Sequence, residues 1–152
     1  MVTIAGQPKT ERDLSGLAAR LRLVITRTAR RLRQQAGADL GPSQTAALAT
    51  IERHGPLTPS ELARMERIQR PTATRIVGRL EDAGLVERVD DPADRRSFTV
   101  SATADGRGLM QKLRTRKNAY LARRLRGTSE EDLETLERAA EILEKLLEGE
   151  RR

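Results

Sequence analysis

Residues 57–84 constrain the fold of this 152-residue chain more than any other segment. Thr58 is a favourable N-cap, and Pro59 loses nothing at the first helical position, where its missing N–H would have no helical partner. Glu61 stands three residues after Thr58, the spacing at which its carboxylate reaches back to the cap in a capping box. The sequence therefore predicts a short helix from Pro59 to about Glu66.

A turn and a second helix follow the capped helix directly. Residues 68–70 are predicted to turn the chain, with Pro71 in the first turn of the next helix and Gly84 at its end. The predicted inner side of this helix carries three apolar residues at helical spacing, Ile76, Val77 and Leu80. Two helices joined in this way form a helix-turn-helix.

The residue pattern then changes from a helical period to that of short strands. Residues 85–90 mix Leu and Val with charged residues, residues 91–94 form a loop, and residues 98–100 start a second strand that continues towards Thr103. This order predicts a β-hairpin whose loop is longer than the two-residue type. A hairpin directly after a helix-turn-helix makes the motif a winged one.

Helices are also predicted before the winged segment. Apolar residues recur at helical spacing over about residues 13–35, which favours a helix of roughly six turns. A second helix opens at Gly41-Pro42 and ends before His54. Residues 1–10 show no periodicity and are predicted to form a loose tail.

Two more helices are predicted after the wing, one from residues 103–106 to about Arg126 and one capped by Ser129. The fold class is therefore mainly α with a small β-hairpin wing (α+β), in one domain over residues 11–152.

Since a two-stranded wing cannot cover the wide apolar stripes of both the first and the last helix, we expect association with a second copy. Packing of both stripes within one chain is the alternative.

The composition argues against an enzyme and against a metal site. The chain has no Cys and one His, so it lacks the ligands of a Cys-based or His-rich metal centre and the parts of a catalytic triad. No nucleophile–base arrangement, glycine-rich phosphate loop or metal-ligand spacing is present, so no catalytic residue, cofactor or metal is expected. Without a signal peptide or about 18 consecutive apolar residues, a cytoplasmic protein that makes no membrane contact is expected.

The charge of the chain indicates nucleic acid as a partner. The formal net charge is +7, and residues 107–127 hold eight basic residues and no acidic one. Residues 9–33 are also basic, whereas residues 129–152 hold nine acidic and four basic residues. Each run is equally consistent with a solvated helix face, and neighbouring basic and acidic runs also have the charges to pair with each other. Two aromatic residues are too few for single-strand binding by base stacking.

The second helix of the helix-turn-helix carries the candidate DNA-contacting face. Arg70, Arg75 and Arg79 lie on it, and residues 69–80 contain no acidic side chain. Short or planar polar groups of the kind that reach base edges in a major groove stand near its start. These are Gln69, Thr72 and Thr74, together with Pro71.

The hairpin loop is the second candidate contact, because a cation at such a tip can enter a minor groove. Asp94 is expected to hold one neighbouring arginine by a salt bridge. Together with two residues that begin the capped helix, the candidate DNA-binding residues are Thr58, Ser60, Gln69, Arg70, Pro71, Thr72, Thr74, Arg75, Arg79, Asp94, Arg95 and Arg96.

The segment from Thr58 to Gly106 resembles the MarR family of bacterial winged-helix regulators. The run RLEDAGLVER, followed by DPADRR and a Thr-x-x-Gly return to helix at residues 103–106, is specific to that family. The resemblance implies a homodimer with dimerisation helices at about residues 11–36 and 104–148 and a winged helix-turn-helix at about 42–103. It also places Arg70, Pro71, Thr72, Thr74 and Arg75 on the recognition helix, and Asp94 and Arg96 in the wing.

The resemblance implies a transcription regulator, most often a repressor, that binds a pseudo-palindromic operator in double-stranded DNA. A small aromatic or phenolic effector is a candidate partner, in the cleft between the dimer helices and the winged domain. Tyr120 would lie in that cleft or in the dimer interface. The chain departs from the family at Gly41-Pro42-Ser43, where a Leu-Thr start is common. Without Cys, and with His54 alone, it cannot follow the peroxide-sensing or zinc-sensing branches.

Two other functions remain open from the residues alone. A non-specific architectural or nucleoid-associated DNA-binding protein would use residues 107–127 as its binding surface, and would lose little when Arg70 and Arg75 are replaced by alanine. A winged-helix module that contacts only proteins would bind no DNA even at low salt.

Overall fold

The computed structural model describes residues 11–37 and 40–149 of the chain. The predicted tail of residues 1–10 lies outside the described residues. Within them the elements are, in order, α1 (Glu11–Ala36), α2 (Pro42–His54), α3 (Pro59–Glu66), α4 (Arg70–Asp82), β1 (Val86–Asp90), β2 (Phe98–Ala102), α5 (Ala104–Leu125) and α6 (Glu130–Glu148). The predicted fold class, mainly α with a β-hairpin wing, is confirmed.

Side-chain caps set the starts of α3 and α6, as the sequence predicted. The Thr58 hydroxyl accepts a hydrogen bond from the Glu61 backbone N–H at 3.2 Å, and the Glu61 carboxylate accepts one from the Thr58 backbone N–H at 2.8 Å. The predicted capping box is thus complete. Ser129 caps α6 in a simpler way, by accepting from the Asp132 N–H at 3.2 Å.

The turn between α3 and α4 lies about one residue earlier than predicted. Arg67 takes a left-handed conformation with φ of 54°, and the Ile68 N–H donates to the Ala63 carbonyl at 2.9 Å, which closes α3. Gln69 is then the N-cap of α4, so Arg70 occupies the first helical position instead of the turn. Arg70 is thereby fixed to the helix that carries the other candidate residues.

The wing is an antiparallel hairpin in which Arg88 faces Val100 and Asp90 faces Phe98 across the two strands. A third segment extends it, because Leu57 and Val100 exchange backbone hydrogen bonds of 3.0 and 2.8 Å. The link between α2 and α3 therefore pairs with β2. This pairing ties the wing to the start of α3.

The Thr-x-x-Gly return to helix has a structural reason. The Thr103 hydroxyl donates to the Gly84 carbonyl at 2.7 Å and accepts from the Gly106 N–H at 3.1 Å, so it caps α5 and holds the end of α4. A Cβ on Gly106 would lie 2.0 Å from the Leu85 carbonyl oxygen. The close approach of α5 to the start of the wing therefore requires glycine at position 106.

One hydrophobic core joins α2, α3, α4, the wing and the first half of α5. Its largest fully buried side chains are Leu48, Ile51, Leu62, Leu80 and Val100. Outside this core, α6 has no buried residue, and residues 13–28 of α1 are all exposed. The apolar residues of α1 between positions 13 and 28 and those of α6 are therefore not buried within the single chain, which favours the expected association with a second copy.

Within residues 11–37 and 40–149, no helix is long and apolar enough to cross a membrane. In the same part of the chain no group of three or more His, Asp or Glu side chains is placed to hold a metal ion.

Candidate nucleic-acid interface

Helix α4 presents one polar, basic face to solvent. Its opposite face is buried through Ala73, Ile76, Val77 and Leu80, in agreement with the predicted inner side. The candidate residues on the outer face are exposed; they are Gln69, Arg70, Pro71, Thr74, Arg75 and Arg79. Thr72 differs from them because it is half-buried and turned towards α2.

Among the described residues, no ion pair neutralises the positive charge of this face. The first turn of α4 contains no acidic residue, so the partial positive charge of the helix N-terminus adds to that of Arg70. Neither ion pair that the structure records among its described residues involves an arginine of α4. The guanidinium groups of Arg70, Arg75 and Arg79 therefore remain available to an external anion.

The candidate hydroxyl groups differ in how much hydrogen-bonding capacity they have left. Thr58 uses its hydroxyl within the capping box, and its two bonds to the Glu61 carboxylate hold the pKa of that group below its usual value. Thr74 donates its hydroxyl to the Arg70 carbonyl at 3.1 Å, which leaves only its acceptor capacity. Gln69 makes no side-chain cap bond, so its amide is free to contact a base edge.

A cavity of about 110 Å³ brings four of the candidate residues together at the junction of α3, α4 and β2. Thr58 and Ser60 line it from the start of α3, Arg70 from the first turn of α4, and Arg96 from the wing. The structure thus joins the helix-turn-helix and wing candidates into one surface. Arg75, Arg79 and Arg95 do not line this cavity.

The wing loop is held by backbone hydrogen bonds to its aspartates. The Asp94 carboxylate accepts from the Arg96 backbone N–H at 3.0 Å, and the Asp91 carboxylate accepts from the Ala93 N–H at 2.9 Å. The predicted salt bridge from Asp94 to a neighbouring arginine is therefore wrong, because its carboxylate binds the loop backbone instead. Arg95 and Arg96 are exposed at the tip.

Arg88 and Phe98, near the loop end of the wing strands, were not predicted from the sequence as residues of the site. The Arg88 guanidinium lies 3.7 Å from the centre of the Phe98 ring and donates to Asp90 at 2.9 Å. Since Phe98 also lines the cavity shared by Arg70 and Arg96, this stack forms the wall behind the candidate site. The hairpin register, with Asp90 opposite Phe98, is what brings the three side chains together.

A second cavity, of about 300 Å³, lies on the other side of α4. Thr72 and Ile76 of α4 line it, with Pro42, Ser43 and Ala46 of α2, and with Glu66 and Ile68. The Glu66 carboxylate at its edge accepts a hydrogen bond from Thr50, which ties the end of α3 to α2. Thr72 therefore faces this cavity and not the outer face of the helix.

Several cations of the basic run in α5 are engaged within the chain. Arg114 forms a two-pronged ion pair with Glu52, at 2.8 and 3.0 Å, and its guanidinium lowers the pKa of Glu52 mainly through these hydrogen bonds. Arg107 and Arg116 donate to the carbonyls of Ala102 and Ala36. These contacts hold α5 against α2, β2 and α1.

Comparisons with known proteins agree with this architecture. The model of the MarR family matches residues 40–98. An HTH-type transcriptional regulator of Mycobacterium tuberculosis is 34% identical over 128 residues, which cover 84% of this chain and 90% of that protein. The HTH-type transcriptional repressor MdtR of Bacillus subtilis is 31% identical over 92 residues, 60% of this chain and 59% of that one. The structure of a MarR family protein from Bacillus stearothermophilus is similar with a TM-score of 0.77 and 26% identity, covering 92% of this chain and 99% of that chain.

Proposed function

The chain belongs to the MarR family of DNA-binding transcriptional regulators, and from this premise we propose that it acts as a homodimeric, sequence-specific repressor. In this proposal α4 enters the major groove and the wing reaches the adjacent minor groove. Residues 42–103 form the DNA-binding part, and residues 11–36 and 104–148 form the dimerisation part.

The observation that carries the proposal is the outer face of α4, whose positive charges have no ion-pair partner among the described residues. Arg70 and Arg75 are exposed and have no ion-pair partner among the described residues, and the amide of Gln69 lies beside them. Guanidinium and amide groups at the start of a helix read guanine and adenine edges by two-pronged hydrogen bonds. Ser60 and Arg96 line the adjoining cavity, and in this proposal they contact phosphates that position the helix.

Homodimer formation is supported by the apolar faces that one chain leaves uncovered. Leu14, Leu17 and Val24 of α1 are more than half exposed, as are Ile142, Leu146 and Leu147 of α6. Exposed faces of this kind are typical of an association surface. Because two-fold symmetry would present two recognition helices, the operator is expected to be a pseudo-palindrome with half-sites about 10 bp apart.

The test is selection of genome fragments by the purified protein at about 150 mM salt, a concentration at which specific sites outcompete non-specific ones. We expect one enriched pseudo-palindrome. Arg70→Ala/Arg75→Ala should abolish the enrichment, whereas Arg123→Ala/Arg124→Ala removes the same charge from α5 and should preserve it. The reverse result would favour an architectural protein that binds through α5, and absence of DNA binding at any salt would favour a module for protein contacts.

Repression and its release by an effector belong to the same proposal. MdtR, which is 31% identical to part of this chain, is named a repressor. A small aromatic anion that binds between the dimerisation helices and the winged part would favour a spacing of the two α4 helices that fits the grooves poorly. Tyr120 is half-buried on α5 and lines neither cavity beside α4, so we assign it no ligand.

The effector is tested with hydroxybenzoates as probes, added to the complex with the selected operator. Release of DNA at a fixed salt concentration supports an effector of this class. Binding that is unchanged, while reporter transcription from the operator still falls when the protein is present, would leave a repressor without such an effector. A rise in transcription would show an activator instead.

A further inference from the structure

Helix α4 carries a glycine, Gly78, on the outer face that holds the candidate DNA-binding residues. Pro71, Arg75, Gly78 and Asp82 follow one another at spacings of four, three and four, so they lie on one side of the helix. Gly78 is exposed and lies inside the helix, away from both of its ends. Because glycine at such a position destabilises a helix relative to alanine, its presence needs a reason.

The fold of the chain does not supply that reason. A Cβ added to Gly78 would meet no atom of the described residues within 4 Å, whereas one on Gly106 would clash with a backbone carbonyl. Gly78 also needs no left-handed backbone, since the glycines with positive φ in the described part of the chain are Gly37 and Gly84. Alanine would therefore fit at position 78 and would strengthen the helix.

The charges around Gly78 indicate what lies against it. Arg75 and Arg79, one turn apart, border one side of this position, and both are exposed without an ion-pair partner among the described residues. Asp82 stands one turn further along the same face and is exposed as well. An extended anion can therefore pass over Gly78 beside the two arginines, but it is repelled beyond that point. A sugar–phosphate strand of DNA fits this order of charges.

The position of Gly78 along α4 agrees with such a contact. With a rise of about 1.5 Å per residue, Gly78 lies about 12 Å beyond Arg70 along the helix axis. The major groove of B-DNA is also about 12 Å wide, so a helix whose first turn reads base edges brings position 78 to the groove wall. That wall is formed by the sugar–phosphate strand.

We propose that the backbone of α4 at Gly78 lies directly against a DNA strand, and that the missing side chain lets Gln69, Arg70 and Arg75 reach the base edges. The inference rests on the proposed sequence-specific DNA binding and adds what sets the depth of α4 in the groove. A side chain at position 78 would hold the helix away from the strand, and hydrogen bonds to the bases would lengthen and weaken. Gly78 thus lowers the stability of the helix but makes specific binding possible.

The variants Gly78→Ala and Gly78→Gln test the inference through two measurements that should change in opposite directions. Both replacements favour the helix, so the midpoint of urea denaturation should rise. Affinity for the selected operator, measured by fluorescence anisotropy, should fall at least about tenfold with alanine, as overpacking of a close contact implies, and further with glutamine. Affinity for a random-sequence duplex should fall far less, because it depends on phosphate contacts that tolerate a small displacement.

The matched control is Gly108→Ala. Gly108 is exposed within α5, and a Cβ added there would also meet no atom of the described residues within 4 Å. This replacement should raise the denaturation midpoint by a similar amount and leave operator affinity unchanged. A Gly78→Ala protein that binds the operator like the wild type would overturn the inference, as would an equal loss of affinity for operator and random-sequence DNA. A lowered midpoint would also overturn it, because the glycine would then serve the fold.

Protection from a thiol reagent tests the contact itself, since the chain contains no cysteine. In Gly78→Cys and Gly108→Cys proteins, the rate of alkylation by a maleimide reports the accessibility of a single position. Operator DNA at a concentration that saturates each protein should slow alkylation at position 78 and leave the rate at position 108 unchanged. Equal rates at position 78 with and without the operator would overturn the inference.

The variant Arg70→Ala/Arg75→Ala separates this inference from the proposed function. If it loses the operator while the Gly78 variants keep it, sequence-specific binding through α4 stands and the inference about Gly78 fails. If it keeps the operator, the proposed function fails and the inference fails with it. If the Gly78 variants change the dissociation constant of the dimer, measured by sedimentation equilibrium, and not that of the DNA complex, a second copy and not DNA lies against Gly78.

Discussion

At the scale of single residues, Gly106 determines how α5 leaves the wing. Its backbone passes so close to Leu85 that an added Cβ would lie 2.0 Å from the carbonyl oxygen and 3.4 Å from a methyl group of Leu48. Neither the carbonyl of Leu85 nor the fully buried Leu48 can move away easily, because both belong to the packed core. The position of the wing relative to α5 thus depends on the absence of a side chain.

Gly106→Ala should therefore destabilise the protein by about 2–3 kcal/mol, as overpacking of a rigid contact does. Gly108→Ala is the matched control, since Gly108 lies in the same helix with no atom within 4 Å of an added Cβ. That replacement should raise the free energy of unfolding by about 0.5–1 kcal/mol through helix propensity alone. Urea denaturation of both variants at one protein concentration measures the difference, and equal effects would contradict the close approach to Leu85.

Residue contacts were predictable from the sequence where both partners lie within one turn of helix. The capping box of Thr58 and Glu61 depends only on a spacing of three residues, so it could be predicted and is confirmed. The contact of the Asp94 side chain could not be predicted in this way. Arginines and backbone N–H groups compete for its carboxylate, and the shape of the loop decides which of them binds. The stack of Arg88 on Phe98 depends on strand register, which the loop length alone does not determine.

At the scale of elements, the number, type and order of helices and strands follow from periodicity, caps and glycine or proline breaks. The elements that the sequence placed least well are those whose ends are set by distant contacts. Leu57 pairs with Val100, which lies 43 positions later in the sequence, and no local pattern predicts this bridge. Similarly, Arg67 takes a left-handed conformation that local preference assigns to glycine, at the point where the Ile68 N–H bonds to the Ala63 carbonyl and closes α3.

The ion pair between Glu52 and Arg114 links α2 to α5, and its contribution to stability should depend on pH. The guanidinium of Arg114 lowers the pKa of Glu52 from its usual value of 4.5, chiefly by hydrogen bonding. A carboxylate with a lowered pKa in the folded state stabilises that state above its unfolded pKa, and this stabilisation is lost as pH falls through the folded pKa. Glu52→Gln should thus lower the free energy of unfolding at neutral pH by about 0.5–1 kcal/mol, since Arg114 is partly exposed.

Urea denaturation at about pH 7 and about pH 3 checks the sign of this effect, because the difference between variant and wild type should shrink in acid. Glu87→Gln serves as the control, since Glu87 is exposed on β1 and belongs to no ion pair that the structure records within residues 11–37 and 40–149. It should change neither value. A Glu52→Gln variant as stable as the wild type at neutral pH would show that the pair contributes nothing to the attachment of α5.

At the scale of the whole molecule, the two proposed surfaces lie on different parts of the chain. The winged part has a closed core and a basic outer face, whereas residues 13–28 and α6 lack cover. One chain can therefore present a recognition helix, but the distance between two such helices is a property of the pair. The sequence predicts each surface through its residue pattern. It does not contain that distance, because in the proposed dimer the distance depends on how the helices of two copies cross.

Insertion of base pairs between the operator half-sites tests this dependence on the pair. If a dimer binds two major grooves on one face of DNA, an insertion of about 5 bp rotates one half-site by half a helical turn, out of reach of the second α4. Affinity for this DNA should fall to that of a single half-site, at least about a hundredfold below the intact operator, because the second contact is lost. Replacement of the same spacer by another sequence of equal length is the control and should change affinity far less. Equal affinity for the intact and the lengthened operator, measured by fluorescence anisotropy at one salt concentration, would mean that each chain binds its half-site independently.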